Sequence, residues 1–118
     1  MTLRVVISGT GKMGRQVAQA VAADPGMEGV AYVDGLATVT ELDGLPVYTD
    51  PAFCFSETKP DVCIDFTNAA WTPGLSAAAL NSGVRLVIGT TGLSDEFMSW
   101  LESETRTREI GAVVAANF

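Results

Sequence analysis

Apolar residues come along this chain in short blocks rich in β-branched side chains, separated by stretches of helical spacing. Leu3 to Ser8 is a continuous apolar run, which fits a strand buried on both faces of a parallel sheet better than an alternating surface strand. From Met13 the spacing turns helical, with Met13, Val17, Ala20 and Val21 on one stripe, and Asp24-Pro25-Gly26 ends it. Gly29 to Asp34 is a second strand. Gly35 to Leu45 scatters Gly, Thr and Asp without period and predicts a surface connection, leading to a short strand around Pro46-Val47-Tyr48. Asp50-Pro51 pairs an N-cap with proline at the first helical position, so a short helix follows through about Ser56.

The second half repeats the alternation more cleanly. Val62 to Phe66 is a strand, and Thr72-Pro73 opens a helix carrying Leu75, Ala78 and Ala79 that closes at Asn81-Ser82-Gly83. Val84 to Ile88 is another strand. Ser94 caps a helix with Asp95-Glu96 in its first turn and Arg106 and Arg108 in its last, both suited to the helix dipole. Gly111 to Ala116 is a final strand. Repeated alternation of strand and helix predicts an α/β domain, a doubly wound parallel sheet with right-handed crossovers. With no internal linker, repeat or low-complexity tract, residues 1–118 read as one domain, large enough to bury roughly two-thirds of its unfolded surface.

Three loops interrupt this alternation with glycine, threonine and asparagine. Gly9-Thr10-Gly11-Lys12-Met13-Gly14, Gly89-Thr90-Thr91-Gly92 and Ala115-Ala116-Asn117-Phe118 each follow a strand-like run. If those strands are parallel neighbours, all three loops open on the sheet edge where open α/β folds bind ligands. The Gly-x-Gly-x-x-Gly spacing between strand and helix suits a Rossmann-type dinucleotide-binding domain. Its glycines allow a tight turn, close approach to a pyrophosphate, and close helix–strand packing. A glycine-rich turn without ligand is the bland alternative. Asp34, 20 residues after Gly14 at the end of the second strand, can accept hydrogen bonds from both adenosine ribose hydroxyls, or be a solvated turn residue before Gly35. Its carboxylate would repel a 2′-phosphate, and Gly35 cannot neutralise one. NAD(H) is therefore favoured and NADP(H) stays possible, because Lys12 and Arg15 are close in sequence. Asp65-Phe66-Thr67 and Gly89 to Gly92 fall on the nicotinamide side, where backbone and threonine hydroxyls can hold a carboxamide while Phe66 shields the ring. Asp65 can equally be a strand-end cap.

Composition narrows the chemistry. Seven basic against 14 acidic side chains give a net charge of −7, which leaves no basic footprint for nucleic acid or anionic lipid. No apolar run reaches the roughly 20 residues of a membrane helix, and the start shows no signal-type stretch, so a cytoplasmic location is the default. Cys54 and Cys63 lack a metal or redox spacing and read as small buried side chains. Histidine is absent, which removes the commonest general acid and transition-metal ligand. No catalytic residue and no metal site is expected within these residues.

The runs Ser8 to Arg15, Ile64-Asp65-Phe66-Thr67-Asn68, Val87-Ile88-Gly89-Thr90-Thr91-Gly92 and Ala115 to Phe118 together resemble the N-terminal half of 4-hydroxy-tetrahydrodipicolinate reductase, also called dihydrodipicolinate reductase. The likeness covers nearly the whole chain, and its Gly-Thr-Thr-Gly and Ala-Asn-Phe elements are more specific than the glycine loop. It implies a lysine (diaminopimelate) pathway enzyme that reduces a cyclic dicarboxylate with NADH or NADPH and is a homo-oligomer when intact. By this likeness residues 9–14 bind pyrophosphate, Asp34 the adenosine ribose, and Gly89, Thr90 and Thr91 the nicotinamide region, with Ala115, Ala116, Asn117 and Phe118 on its other side. The chain departs from the family in a glycine loop one residue shorter than in many members. It also has Gly35 where an arginine often follows the ribose acid; both departures count against NADPH. The family's His-His pair, lysine and Ser-Gly-Thr loop, which grip and protonate substrate, belong to a C-terminal domain and do not occur here. A cofactor module that turns over little or nothing by itself is the expectation.

The close on an apolar strand and Phe118 favours a cut at a domain edge over a naturally short protein, and predicts an exposed patch of a few hundred Å² that invites self-association. The cofactor domain of another two-domain dehydrogenase and a free-standing nucleotide-sensing or partner-binding module are the competing expectations.

Overall fold

The computed structural model describes residues 1–115. Its strands β1 (Leu3–Ser8), β2 (Met27–Val33), β3 (Glu41–Leu42), β4 (Leu45–Tyr48), β5 (Val62–Asp65), β6 (Arg85–Ile88) and β7 (Ala112–Val114) form one sheet in the order β3-β4-β2-β1-β5-β6-β7, with β1 at the centre, and every pairing is parallel except β3 with β4. The apolar run of β1 is central because Val5, Val6 and Ile7 are each buried on one face or the other, so the middle of the strand is apolar on both sides. β2 flanks it on one side and β5 on the other, followed outward by β6 and β7.

Helix α1 (Lys12–Ala23) covers one face over β1 and β2, packing Val17, Ala18 and Val21 against Val5, Ile7 and Tyr32. Its inward stripe is Gly14, Val17, Ala18 and Val21, not the predicted set with Met13 and Ala20, which are exposed. Helices α2 (Pro51–Thr58), α3 (Thr72–Asn81) and α4 (Asp95–Arg108) cover the opposite face, where Leu75, Ala79, Leu80, Leu86, Ile88, Phe97 and Leu101 form the larger core. Each fully buried leucine or isoleucine side chain contributes about 1.5–3 kcal/mol.

The predicted caps are present. Asp50 accepts from the Phe53 N–H at 3.0 Å with Pro51 opening α2, and Ser94 Oγ accepts from the Phe97 N–H at 3.0 Å to open α4. Residues 35–45 are not wholly irregular, since Glu41–Leu42 (β3) pairs antiparallel with β4 (Leu45–Tyr48) across a turn at Asp43-Gly44. Cys54 and Cys63 are both buried and free. Burial pushes the Cys54 thiol up to about 11 and Cys63 well above its ordinary value, so both stay protonated at neutral pH. Among the described residues no helix is long and apolar enough to cross a membrane.

Strand register sets where the loops begin. Val33, Ser8, Asp65, Ile88 and Val114 pair in one row across five parallel strands. The residues immediately after them, Asp34, Gly9, Phe66, Gly89 and Ala115, therefore start five loops along one line at the carboxyl edge of the sheet. The chain order reverses between β1 and β5, so the crevice of an open α/β sheet falls between their loops.

Candidate functional site

The loop after β1 owes its shape to two of its glycines. Gly9 sits at φ +106°, a conformation that L side chains rarely adopt, and its N–H donates to the Val33 carbonyl at 2.9 Å. Gly14 lies against the Gly9 carbonyl so closely that a Cβ would overlap it, which is how α1 reaches down onto β1. Gly11 differs, because a Cβ there would meet nothing within 4 Å. It is the N-cap of α1, and no side chain caps the helix. The first-turn N–H groups thus face open space with the positive end of the helix dipole behind them, which suits an anion lying flat on the backbone.

Asp34 is fastened beside this loop. Its Oδ2 accepts from the Thr10 hydroxyl at 2.7 Å and the Thr10 N–H at 3.1 Å, and its Oδ1 accepts from the Leu36 N–H at 2.9 Å. Burial pushes this carboxyl up, but the Thr10 hydroxyl and the two N–H donors outweigh it and hold the group below its ordinary value. The carboxylate is ionised at neutral pH, oriented, and half-buried at the mouth of the crevice. Arg15, one of the two cations considered for a 2′-phosphate, is engaged elsewhere. Its Nε and Nη2 both donate to Asp43 at 3.0 Å, which keeps the Asp43 carboxyl below its ordinary value against a smaller opposing effect of burial.

On the far side of the crevice Asp65 is a fastening, not a ligand group. It is fully buried and accepts from the Thr67 hydroxyl at 2.6 Å, the Thr67 N–H at 3.2 Å, the Thr72 hydroxyl at 2.5 Å and the Thr90 hydroxyl at 3.4 Å. This one carboxylate ties the β5 loop, the start of α3 and the β6 loop together. Thr90 is correspondingly buried, with its hydroxyl turned inward to Thr72 at 2.8 Å, while Thr91 is exposed. The Phe66 ring lies on Gly89, where a Cβ would overlap it, so glycine at 89 is a requirement of that aromatic.

These parts enclose a cleft of about 360 Å³ lined by residues 9–14, 34–36, 66–68 and Trp71. It brings together Gly9, Thr10, Gly11, Lys12, Met13, Gly14, Asp34, Phe66 and Thr67. Gly89, Thr90 and Thr91 do not line it, although Gly89 lies against the Phe66 ring, which does. Ala115 follows β7 with its N–H on the Ile88 carbonyl at 2.9 Å, and Ala116, Asn117 and Phe118 lie outside the described residues. Leu36 and Trp71 join the cleft without having stood out in the sequence, and so does Asn68, which closes the run from Ile64 without a role of its own. The tryptophan one residue before Thr72-Pro73 was the available signal, since a helix opening after β5 delivers its first residues to the same sheet edge.

The chain matches the family model described as dihydrodipicolinate reductase, N-terminus, over residues 3–118. It is 41% identical to 4-hydroxy-tetrahydrodipicolinate reductase of Geobacillus thermodenitrificans, covering 100% of this chain and 48% of that protein. The same enzyme of Shouchella clausii is 40% identical, with 98% and 47% covered. The chain thus spans about half the length of the curated relatives it matches. Among solved structures, dipicolinate-bound dihydrodipicolinate reductase from Paenisporosarcina sp. TG-14 superposes with a TM-score of 0.89 at 30% identity, covering 99% of this chain and 48% of that one. The WlbA dehydrogenase of Bordetella pertussis, solved with NADH and UDP-GlcNAcA, shares the fold at a TM-score of 0.86 and 13% identity, with 98% and 37% covered. With the glycine loop, the Gly-Thr-Thr-Gly run and the strand register all in place, the chain belongs to the dihydrodipicolinate reductase family and carries its N-terminal domain.

Proposed function

We propose that this domain binds a nicotinamide dinucleotide, NADH in preference to NADPH, as the cofactor half of a 4-hydroxy-tetrahydrodipicolinate reductase. The observation that carries this reading is the uncapped α1 N-terminus at Gly11, set beside an ionised Asp34 in one cleft. The backbone of residues 9–14 receives the pyrophosphate, and Asp34 accepts from the adenosine ribose hydroxyls, exchanging the Thr10 hydroxyl for a ligand hydroxyl. Phe66 and Thr67 bound the nicotinamide end, and the family likeness assigns Gly89, Thr90, Thr91 and Ala115 to Phe118 to that end as well. When bound, the dinucleotide supplies a hydride. The protein's part in these residues is to hold that donor in a fixed orientation, a contribution of several kcal/mol to the rate once a substrate is held in line with it.

With no histidine in the chain, the proton and the grip on a small dicarboxylate substrate come from the substrate domain that the longer relatives carry. A cytoplasmic homo-oligomer of the lysine (diaminopimelate) route is the setting this reading assigns, without nucleic acid, membrane or metal. Calorimetric titration of NADH and NADPH into the folded chain tests it. The expected result is NADH binding tighter than NADPH binding; a folded chain that binds neither overturns it.

A further inference from the structure

We propose that Trp71 bars a cation-bearing side chain at position 35 and so closes the route by which this cleft could accept NADPH, by occupying the space from which such a side chain would reach a 2′-phosphate. This rests on the dinucleotide reading above and deepens it. Position 35 directly follows the ribose acid, so it is the natural origin for a cation meeting a phosphate on the ribose that Asp34 holds. A Cβ built on Gly35 would lie 2.6 Å from Cζ3, 3.2 Å from Cη2 and 3.5 Å from Cε3 of the Trp71 indole. Glycine at 35 is therefore imposed by the ring across the cleft; its φ does not lie in the left-handed region.

The ring has little freedom to retreat. Its Nε1–H donates to Ser8 Oγ at 2.8 Å, and Ser8 is itself buried at the end of β1. Its backbone N–H donates to both the Asn68 carbonyl and Asn68 Oδ1 at 3.1 Å, and its carbonyl accepts from the Leu75 N–H at 3.2 Å as α3 begins. Moving the indole aside for a Cβ breaks the Ser8 bond or disturbs the helix start, and either leaves a polar group unpaired. The nearby cation Arg15 is meanwhile bidentate on Asp43. Exclusion of a cation from position 35 thus adds to the repulsion from Asp34, and it originates on a different element.

The test is a set of four chains, native, Gly35→Arg, Trp71→Ala and the double variant, each titrated with NADH and with NADPH after circular dichroism. Gly35→Arg alone is expected to leave the NADPH-to-NADH affinity ratio within about twofold of native and to lower Tm. Trp71→Ala alone adds no cation and should leave the ratio unmoved. The double variant should shift the ratio at least fivefold toward NADPH. A shift as large in Gly35→Arg as in the double variant overturns the proposal, because the ring then blocks nothing. A folded double variant with the native ratio overturns it too, and leaves NADH binding by the native chain standing. Should Gly35→Arg not fold, Gly35→Ala replaces it in a thermal cycle. Its loss of Tm must largely vanish in the Trp71→Ala background, and an equal loss in both backgrounds removes the clash on which the proposal stands. A native chain that binds neither dinucleotide removes the dinucleotide reading and this one with it.

Discussion

Two aspartates end neighbouring parts of the sheet edge, and their surroundings give them opposite work. Asp34 keeps an ionised carboxylate at an open cleft, fastened among the described residues by Thr10 and the Leu36 N–H. Asp34→Asn keeps the shape but loses the charge, and should weaken NADH binding by about 1–3 kcal/mol, as expected for charge-assisted hydrogen bonds, read by calorimetry. Because its folded value lies below the ordinary one, the sign is clear. Its ionised form contributes to stability and to binding above the unfolded value of about 3.9, and that contribution is lost as pH falls through the folded value. NADH affinity should accordingly be flat from about pH 8 to 5 and fall only in the acid range near or below about 4; a decline centred near neutrality contradicts the assignment. Asp65 does structural work instead, sealed and surrounded by three threonine hydroxyls. Asp65→Ala takes the shared acceptor from the Thr67 N–H and hydroxyl and leaves Thr72 and Thr90 with one another and the Asn68 carbonyl, at about 1–3 kcal/mol for each donor left unpaired, so a drop in Tm is expected before any question of cofactor arises.

At the scale of elements, the glycine loop separates fold from ligand. Gly14→Ala drives a Cβ into the Gly9 carbonyl and pushes α1 off β1, so both Tm and NADH affinity should fall. Gly11→Ala meets no protein atom, and an N-cap change of this kind costs only a few tenths to about 1 kcal/mol. Its chain should melt close to native and yet bind NADH at least tenfold more weakly; native affinity in Gly11→Ala would mean that no ligand lies against this backbone. The strand–helix alternation, both capping aspartate and serine, and the motif carrying these glycines were legible because they depend on neighbours a few positions away. Other features were not, for reasons of the same kind. The α1 stripe runs through Gly14 and Ala18 because the helix packs tightly on β1, and a search for large apolar residues selects exposed Met13 instead. A two-residue strand such as β3 has no period to read. The spacing after Gly14 singles out Asp34, but the inward work of Asp65 rests on the tertiary approach of Thr72 and Thr90, which no local pattern carries. Trp71 bears on Gly35 across 36 positions of chain, a contact no local pattern encodes.

For the whole molecule, the two faces of the sheet are unequally covered. Helices α2, α3 and α4 pack on one face, whereas α1 reaches only β1 and β2 on the other. Over β5, β6 and β7 that second face presents Val62, Ile64, Val87 and Val113, the last 60% exposed, around a mostly apolar hollow of about 390 Å³ that also includes Leu3 and Met27, with exposed Arg85 as its one charged lining residue. Contiguous apolar surface of this kind is where soluble domains meet something else. For the 118-residue chain in isolation the expected partner is a second copy, brought together by area removed from water and opposed by the mutual repulsion of two chains at −7. The two forces respond oppositely to salt. Raising ionic strength shortens the screening length, to about 10 Å at 0.1 M, and weakens the repulsion while leaving apolar contact intact. Sedimentation at several protein concentrations should therefore show reversible association that strengthens with added salt. Val87→Lys with Val113→Lys should abolish it and leave NADH affinity unchanged, since both side chains lie on the sheet face, away from the line of loops at its carboxyl edge. Association that weakens with salt would point instead to ion pairs such as the exposed Arg4–Glu28 pair, and a native chain that stays monomeric throughout would mean that this face, apolar as it is, does not associate with itself.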